Sequence, residues 1–125
     1  MIEIHPLRDK QKIAELYIEN NVIMNKNSMA VICTDCGDCL GFCLFDLDSE
    51  ALTLHTLKPE NDLFLVDGIL RSALHVGVEN GIMSAFYSES APFELLKKLK
   101  FIKDIEKREL MVDKLFASCK NCENT

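Results

Sequence analysis

The chain has 125 residues, 48% of them apolar, enough for a single domain to bury its own core. Its formal net charge is -6, from 20 acidic and 14 basic residues, which opposes nonspecific attachment to nucleic-acid phosphates or anionic lipid. No apolar run reaches the roughly 18 residues of a membrane span, and the start Met1-Ile2-Glu3-Ile4-His5 alternates like a strand rather than opening an export signal, so the expected location is the cytoplasm.

Residues 2–5 read as an opening strand stopped at Pro6. Asp9 then stands as N-cap to an amphipathic helix reaching about Asn20, with Ile13, Leu16, Tyr17 and Ile18 at helical spacing. The asparagines at 20, 21, 25 and 27, with Ser28, mark an irregular stretch. Residues 29–34 and 39–47 follow as two strands around Gly37 and Asp38, where glycine supplies the positive φ of a tight hairpin. Residues 51–57 complete a three-strand meander. A long helix is expected over 62–80, capped by Asn61 and stopped at Gly81, with Leu63, Val66, Leu70, Ala73, Leu74 and Gly77 packing on the sheet. A short strand over 84–88, a helix over 91–98 with Pro92 in its first turn, and one or two strands from Phe101, including 110–112, close the domain. Residues 1–117 are thus one domain, and 118–125 a polar tail that carries Cys119 and Cys122. The densest basic group, Lys97, Lys98, Lys100, Lys103, Lys107 and Arg108, is interleaved with Glu94, Asp104, Glu106 and Glu109 and reads as a solvated mixed-charge surface. Neither a nucleic acid nor a membrane is an expected partner.

This order of elements resembles the GNAT acetyltransferase superfamily over nearly the whole chain, an α/β (α+β) fold with a mixed, mostly antiparallel sheet flanked by helices. Gly68-Ile69-Leu70-Arg71-Ser72-Ala73-Leu74, running on to Glu79-Asn80-Gly81, is similar to the family's cofactor-side helix. Leu95-Leu96-Lys97-Lys98-Leu99-Lys100-Phe101 looks like its late helix, which commonly ends Tyr-x-Lys-Leu-Gly-Phe. The resemblance implies an acyltransferase that uses acetyl-CoA or another acyl-CoA and acts on a small-molecule or peptide amine. Two family features are missing. The glycine-rich loop that wraps the CoA pyrophosphate is replaced by Glu60-Asn61-Asp62-Leu63-Phe64-Leu65-Val66-Asp67, whose bulky side chains and three carboxylates oppose a polyanion. The late-helix tyrosine that protonates the departing thiolate is Leu96, and the glycine is Lys100. No cofactor-binding residue therefore carries over. The alternative is a catalytically silent domain of the same fold that recognises a ligand or a partner chain, and pairing of edge strands into a homodimer is left open.

His55, in the third meander strand, is the candidate catalytic base, since imidazole titrates near neutral pH. Its bland reading is a polar side chain between Thr53 and Leu57 on one sheet face. Glu50 is a weaker candidate and reads as a turn residue, while His5 and His75 have no evident partner in sequence. Six cysteines in a cytoplasmic chain should be reduced. Cys33, Cys36, Cys39 and Cys43 have the spacing of an iron-sulfur ligand run, with Leu44 where proline usually follows. A hairpin would instead pair Cys36 with Cys39, set Cys43 opposite Ile32 and point Cys33 to the other face. Because Leu40, Phe42 and Leu44 alternate with the cysteines, the hairpin is the preferred reading over the cluster. Cys33 and Cys36 with Cys119 and Cys122 form two CxxC pairs that can in principle hold zinc, although their separation far exceeds that of a compact zinc ribbon. The competing reading makes Cys33 and Cys43 small core residues.

Overall fold

The computed structural model describes residues 1–115. The strands are β1 (Ile2–Pro6), β2 (Ser28–Asp35), β3 (Asp38–Leu47), β4 (Leu52–Lys58), β5 (Ala85–Tyr87), β6 (Ile102–Asp104) and β7 (Glu109–Leu110), and the helices are α1 (Lys10–Glu19), α2 (Leu63–Glu79) and α3 (Phe93–Lys98). They form one seven-stranded sheet in the order β1-β2-β3-β4-β5-β7-β6. All neighbours are antiparallel except β4 and β5, which run parallel because α2 carries the chain back between them. Cys119, Cys122 and the segment 118–125 lie outside the described residues.

Alternation in the strands divides the core between two faces. Val31, Cys33, Cys43, Phe45 and Leu54 meet Val66, Ile69, Leu70, Ala73 and Leu74 of α2 and Leu95 and Leu96 of α3. Ala30 and Leu44 point the other way, onto Ile13 and Tyr17 of α1. The helix starts are local matters. Asp9 accepts from the N–H groups of Gln11 and Lys12, and Asp62, rather than the expected Asn61, caps α2 by accepting from Leu65. Leu63, expected in the core, is 45% exposed. Pro92 occupies the N-cap of α3 and not its first turn.

Register departs from the sequence expectation in two places, and both are bulges. The β2–β3 turn centres on Cys36 (φ 51°) and Gly37 (φ 90°), the paired positive φ values of a type I′ hairpin, and not on Gly37 and Asp38. Asp35 therefore faces Asp38 and Thr34 faces Cys39, while Leu40 is an extra residue before Cys33 meets Gly41 and Val31 meets Cys43. Cys33 and Cys43 consequently share one face, contrary to the expectation that they part. In the β3–β4 pair Leu44 faces Thr56 but Phe45 faces Leu54, so His55 is the extra residue. That bulge lets Leu54 and Leu57 both reach the α2 side, where both are fully buried. It also removes Leu57 from the face on which the alternation had placed it with His55.

Candidate functional site

The β4–β5 ladder is short: it runs from Leu52 opposite Ala85 to Leu54 opposite Tyr87 and stops. Beyond it the two chains part on either side of the His55 bulge. The Ser88 N–H donates to the Leu54 carbonyl at 2.9 Å, which holds the first residue after β5 against β4. On the α1 side of the sheet a groove of about 570 Å³ opens there, walled by Asn21, Val22 and Asn25 after α1 and floored by Asp46, His55 and Ser88. Glu89 and Arg108 stand at its rim and pair with each other, Nη2 to Oε1, at 3.1 Å. A cleft of about 190 Å³ adjoins it at Ser90, between Thr56, Leu57 and Lys58 on one side and Pro92 on the other.

His55 is held from both ring nitrogens. Nε2 lies 2.9 Å from Asp46 Oδ2 and Nδ1 lies 3.0 Å from Ser88 Oγ. An ionised carboxylate only accepts, so in the neutral imidazole the proton on Nε2 goes to Asp46 and Nδ1 presents a lone pair to the Ser88 hydroxyl. Ser90 Oγ is 2.9 Å from Ser88 Oγ and donates to it when the Ser88 proton is given to His55. Asp46 is fixed in turn: Oδ1 accepts from Ser28 Oγ at 2.9 Å and Oδ2 from Asn25 Nδ2 at 3.2 Å. The asparagine-rich stretch after α1, irregular in sequence terms, is the scaffold that orients this carboxylate. Asn25 Oδ1 accepts from the Asn27 N–H at 2.7 Å and so holds the loop shut on itself. His55 and Asp46 are mostly buried, at 17% and 20% side-chain exposure, which keeps the pair partly out of water.

The remaining sequence candidates lie elsewhere. Glu50 is an exposed turn residue, its N–H bonded to Asp48 Oδ1 at 2.7 Å. His75 pairs with Glu79 on the outer face of α2, and exposed His5 faces the Pro6 carbonyl; neither lines the groove. Cys33 and Cys43 are buried and Cys36 and Cys39 exposed, and no group of three or more potential metal ligands gathers among the described residues. Burial, with smaller effects from Cys39 and Asp35, pushes the Cys33 thiol up, and burial pushes Cys43 up further. Cys119 and Cys122, the other half of the two-CxxC reading, lie outside the described residues. No tyrosine serves the groove: Tyr17 is fully buried beneath it, its hydroxyl within reach of the Met29 and Phe45 carbonyls at 2.7 and 2.9 Å, and burial raises its pKa well above the ordinary phenol value. Leu96 is likewise fully buried.

At the start of α2, Asp62 takes the Leu65 N–H at 3.1 Å, Glu60 pairs with Lys58 at 2.9 Å, and Phe64 stands 93% exposed. Among the described residues no helix is long and apolar enough to cross a membrane.

No protein-family model matches the sequence, and no curated protein is significantly similar to it. Structural similarity is clear. The ribosomal-protein-S18-alanine N-acetyltransferase of Escherichia coli superposes with a TM-score of 0.58 at 14% identity, over 87% of this chain and 88% of that one. A Desulfovibrio desulfuricans protein assigned to the GNAT acetyltransferase family gives 0.51 at 11% identity, over 70% and 72%. The aminoglycoside 6'-N-acetyltransferase of Enterococcus faecium gives 0.51 at 12%, over 68% of this chain, which spans 59% of that enzyme's length. A meander, a crossover helix and a parallel strand pair in the same order thus give this chain the fold of the GNAT acetyltransferases.

Proposed function

We propose that the groove is the reaction site of an acyltransferase and that His55 is its general base. The observation that carries this reading is the placement of His55: bulged out of β4 where the parallel ladder ends, fixed by Asp46, and set with Nδ1 on the hydroxyl of Ser88, which lines the groove with it. An amine must lose a proton as it attacks an acyl carbonyl. Nδ1 takes that proton directly or through the Ser88 hydroxyl, and Asp46 stabilises the imidazolium that results.

The acyl donor is an acyl thioester, but the residues present do not fit the diphosphate of CoA at the start of α2. Asp62 already occupies the Leu65 N–H, Leu63 and Phe64 fill the first turn, and the carboxylates of Glu60 and Asp62 repel an anion there. The donor is therefore held by its acyl end, beside the cleft between Thr56 and Pro92. Acetyl transfer to a panel of small amines and peptide N-termini, measured with acetyl-CoA and with S-acetyl-pantetheine, tests this. We expect transfer from both, with KM values within about threefold, and a loss of about 10²–10⁴ in kcat for His55→Gln. Failure of both donors, or an unimpaired His55→Gln, would overturn the assignment.

A second reading has its own support. With Leu96 in the core and Tyr17 sealed, no tyrosine protonates a leaving thiolate, which fits a silent domain that binds a small ligand in the groove. Ligand binding without turnover of any thioester would select it.

A further inference from the structure

Ser88 does more than steady an imidazole. In sequence it closes the short strand expected over 84–88, 33 residues from His55. In the fold its hydroxyl stands at the end of a chain of bonds that leads from Asp46 through both nitrogens of His55. Carboxylate, imidazole and hydroxyl in that sequence make the hydroxyl a nucleophile, because the proton has somewhere to go as the oxygen attacks. The Ser88 N–H bond to the Leu54 carbonyl holds the backbone, and the Ser90 hydroxyl contacts the oxygen itself. Ser88 also borders a second cavity of about 220 Å³, lined by Tyr87, Ala91, Phe93 and Ile105 with Glu89 and Arg108, a volume on the scale of a short acyl chain.

We propose that Ser88 is a covalent nucleophile, relayed through His55 to Asp46, which carries the acyl group of a short-chain ester or thioester as an acyl-serine. The proposal rests on the reading of the groove as a reaction site with His55 as base. In the first half-reaction Ser88 Oγ bonds to the acyl carbon and its proton passes to His55 Nδ1. The carbon–sulfur or carbon–oxygen bond of the donor breaks, and the departing thiolate or alkoxide takes the proton back from His55. In the second, an amine or water attacks the acyl carbon and gives its proton to His55, the ester bond to Ser88 breaks, and Ser88 Oγ recovers the proton. No oxidant or metal enters. Because the nucleophile belongs to the chain, donor and acceptor need not occupy the groove together, and the donor needs no purchase on α2. A thiolate leaves readily without a phenol to protonate it, which accords with the buried positions of Tyr17 and Leu96.

The test is rapid-quench intact-mass analysis of the full chain with p-nitrophenyl acetate and with S-acetyl-pantetheine, with the modified peptide mapped. The expected result is one acetyl group per chain on Ser88 and a p-nitrophenolate burst equal to the enzyme concentration, followed by slower steady turnover. Ser88→Ala abolishes label and burst, Ser88→Cys restores a label on residue 88, and His55→Gln slows labelling about 10²–10⁴-fold. Each variant is compared at matched thermal stability. Turnover that persists in Ser88→Ala with no label on the parent would overturn the covalent step while leaving direct transfer by His55 standing. Ser88 labelling that runs equally fast in His55→Gln would overturn the relay. If neither donor is turned over and none labels the chain, this proposal and the reading beneath it both fall.

Discussion

Cys43 sits between Val31 and Leu57 with no exposed surface, and burial alone pushes its thiol well above the ordinary value of 9.0. In the unfolded chain that thiol ionises near pH 9, and in the folded chain only at a higher pH. The unfolded state therefore loses the proton first, so the stability contributed by the neutral thiol is complete below about pH 9 and is lost as the pH climbs toward the folded value. Cys33 and Tyr17 are displaced in the same direction, Tyr17 from 10.0. Thermal melts should therefore fall steeply above about pH 9, and Cys43→Ala should flatten that fall without abolishing it, at a cost of about 1–2 kcal/mol at neutral pH for the small cavity. A melting profile as steep as that of the parent would show that Cys43 ionises freely. Asp46 gives a second residue-scale expectation. Its replacement by Ala leaves the Nε2–H of His55 and the donors of Ser28 and Asn25 without their acceptor, which should cost about 1–3 kcal/mol in urea denaturation.

Among the elements, α2 and β3 are built around one close approach. A β-carbon on Gly41 would lie 2.5 Å from the Lys58 carbonyl oxygen and 2.9 Å from Ile69 Cδ1, so a strand that carries only hydrogen at this position can pass under the end of β4 and the helix. Gly41→Ala should destabilise the fold by about 3 kcal/mol, read from the denaturation midpoint at unchanged slope. The cap of α2 works more gently. Asp62→Ala should cost about 1 kcal/mol, and because it removes a carboxylate from the helix start it should also improve the affinity for acetyl-CoA relative to S-acetyl-pantetheine. An unchanged affinity ratio would place the nucleotide end away from α2. At the level of strands, the bulge at His55 serves two ends, since it sends Leu57 into the core and turns the imidazole toward Asp46.

For the molecule as a whole, the two faces of the sheet are covered unequally. The side under α2 and α3 holds most of the core, while α1 covers a small cluster of Ile13, Tyr17, Ala30 and Leu44. Stability should follow that division. Ile69→Ala, fully buried in the large cluster, should cost about 4 kcal/mol, and Ile13→Ala in the small one about 2 kcal/mol. Amides of α1 should exchange with solvent before those of α2. Equal protection of the two helices would contradict the two-layer account. The groove is roofed from the weaker side, by residues 21–25 that follow α1, so the layer that opens most readily is the one that controls access to His55.

Local chemistry was enough for much of the architecture. The Asp9 cap, the alternation of the meander strands, the apolar stripe of α2 with Gly81 at its end, and the order of elements all depend on neighbours within a few residues, and the fold class could be read from them. His55 stood out as the titratable side chain of the third meander strand. Its setting could not be read. Asp46 and Ser88 lie nine and 33 residues away along the chain and reach the imidazole only because β3 pairs with β4 and β5 joins β4 in parallel. The cysteine pattern misled on register for a related reason: a bulge at Leu40 and a turn centred one residue earlier leave the spacing of the cysteines unchanged while moving Cys33 to the face of Cys43. Sequence periodicity fixes which residues can share a face, but the number of residues spent at a turn or bulge decides which ones do. That choice is made by the packing of the whole sheet against its helices.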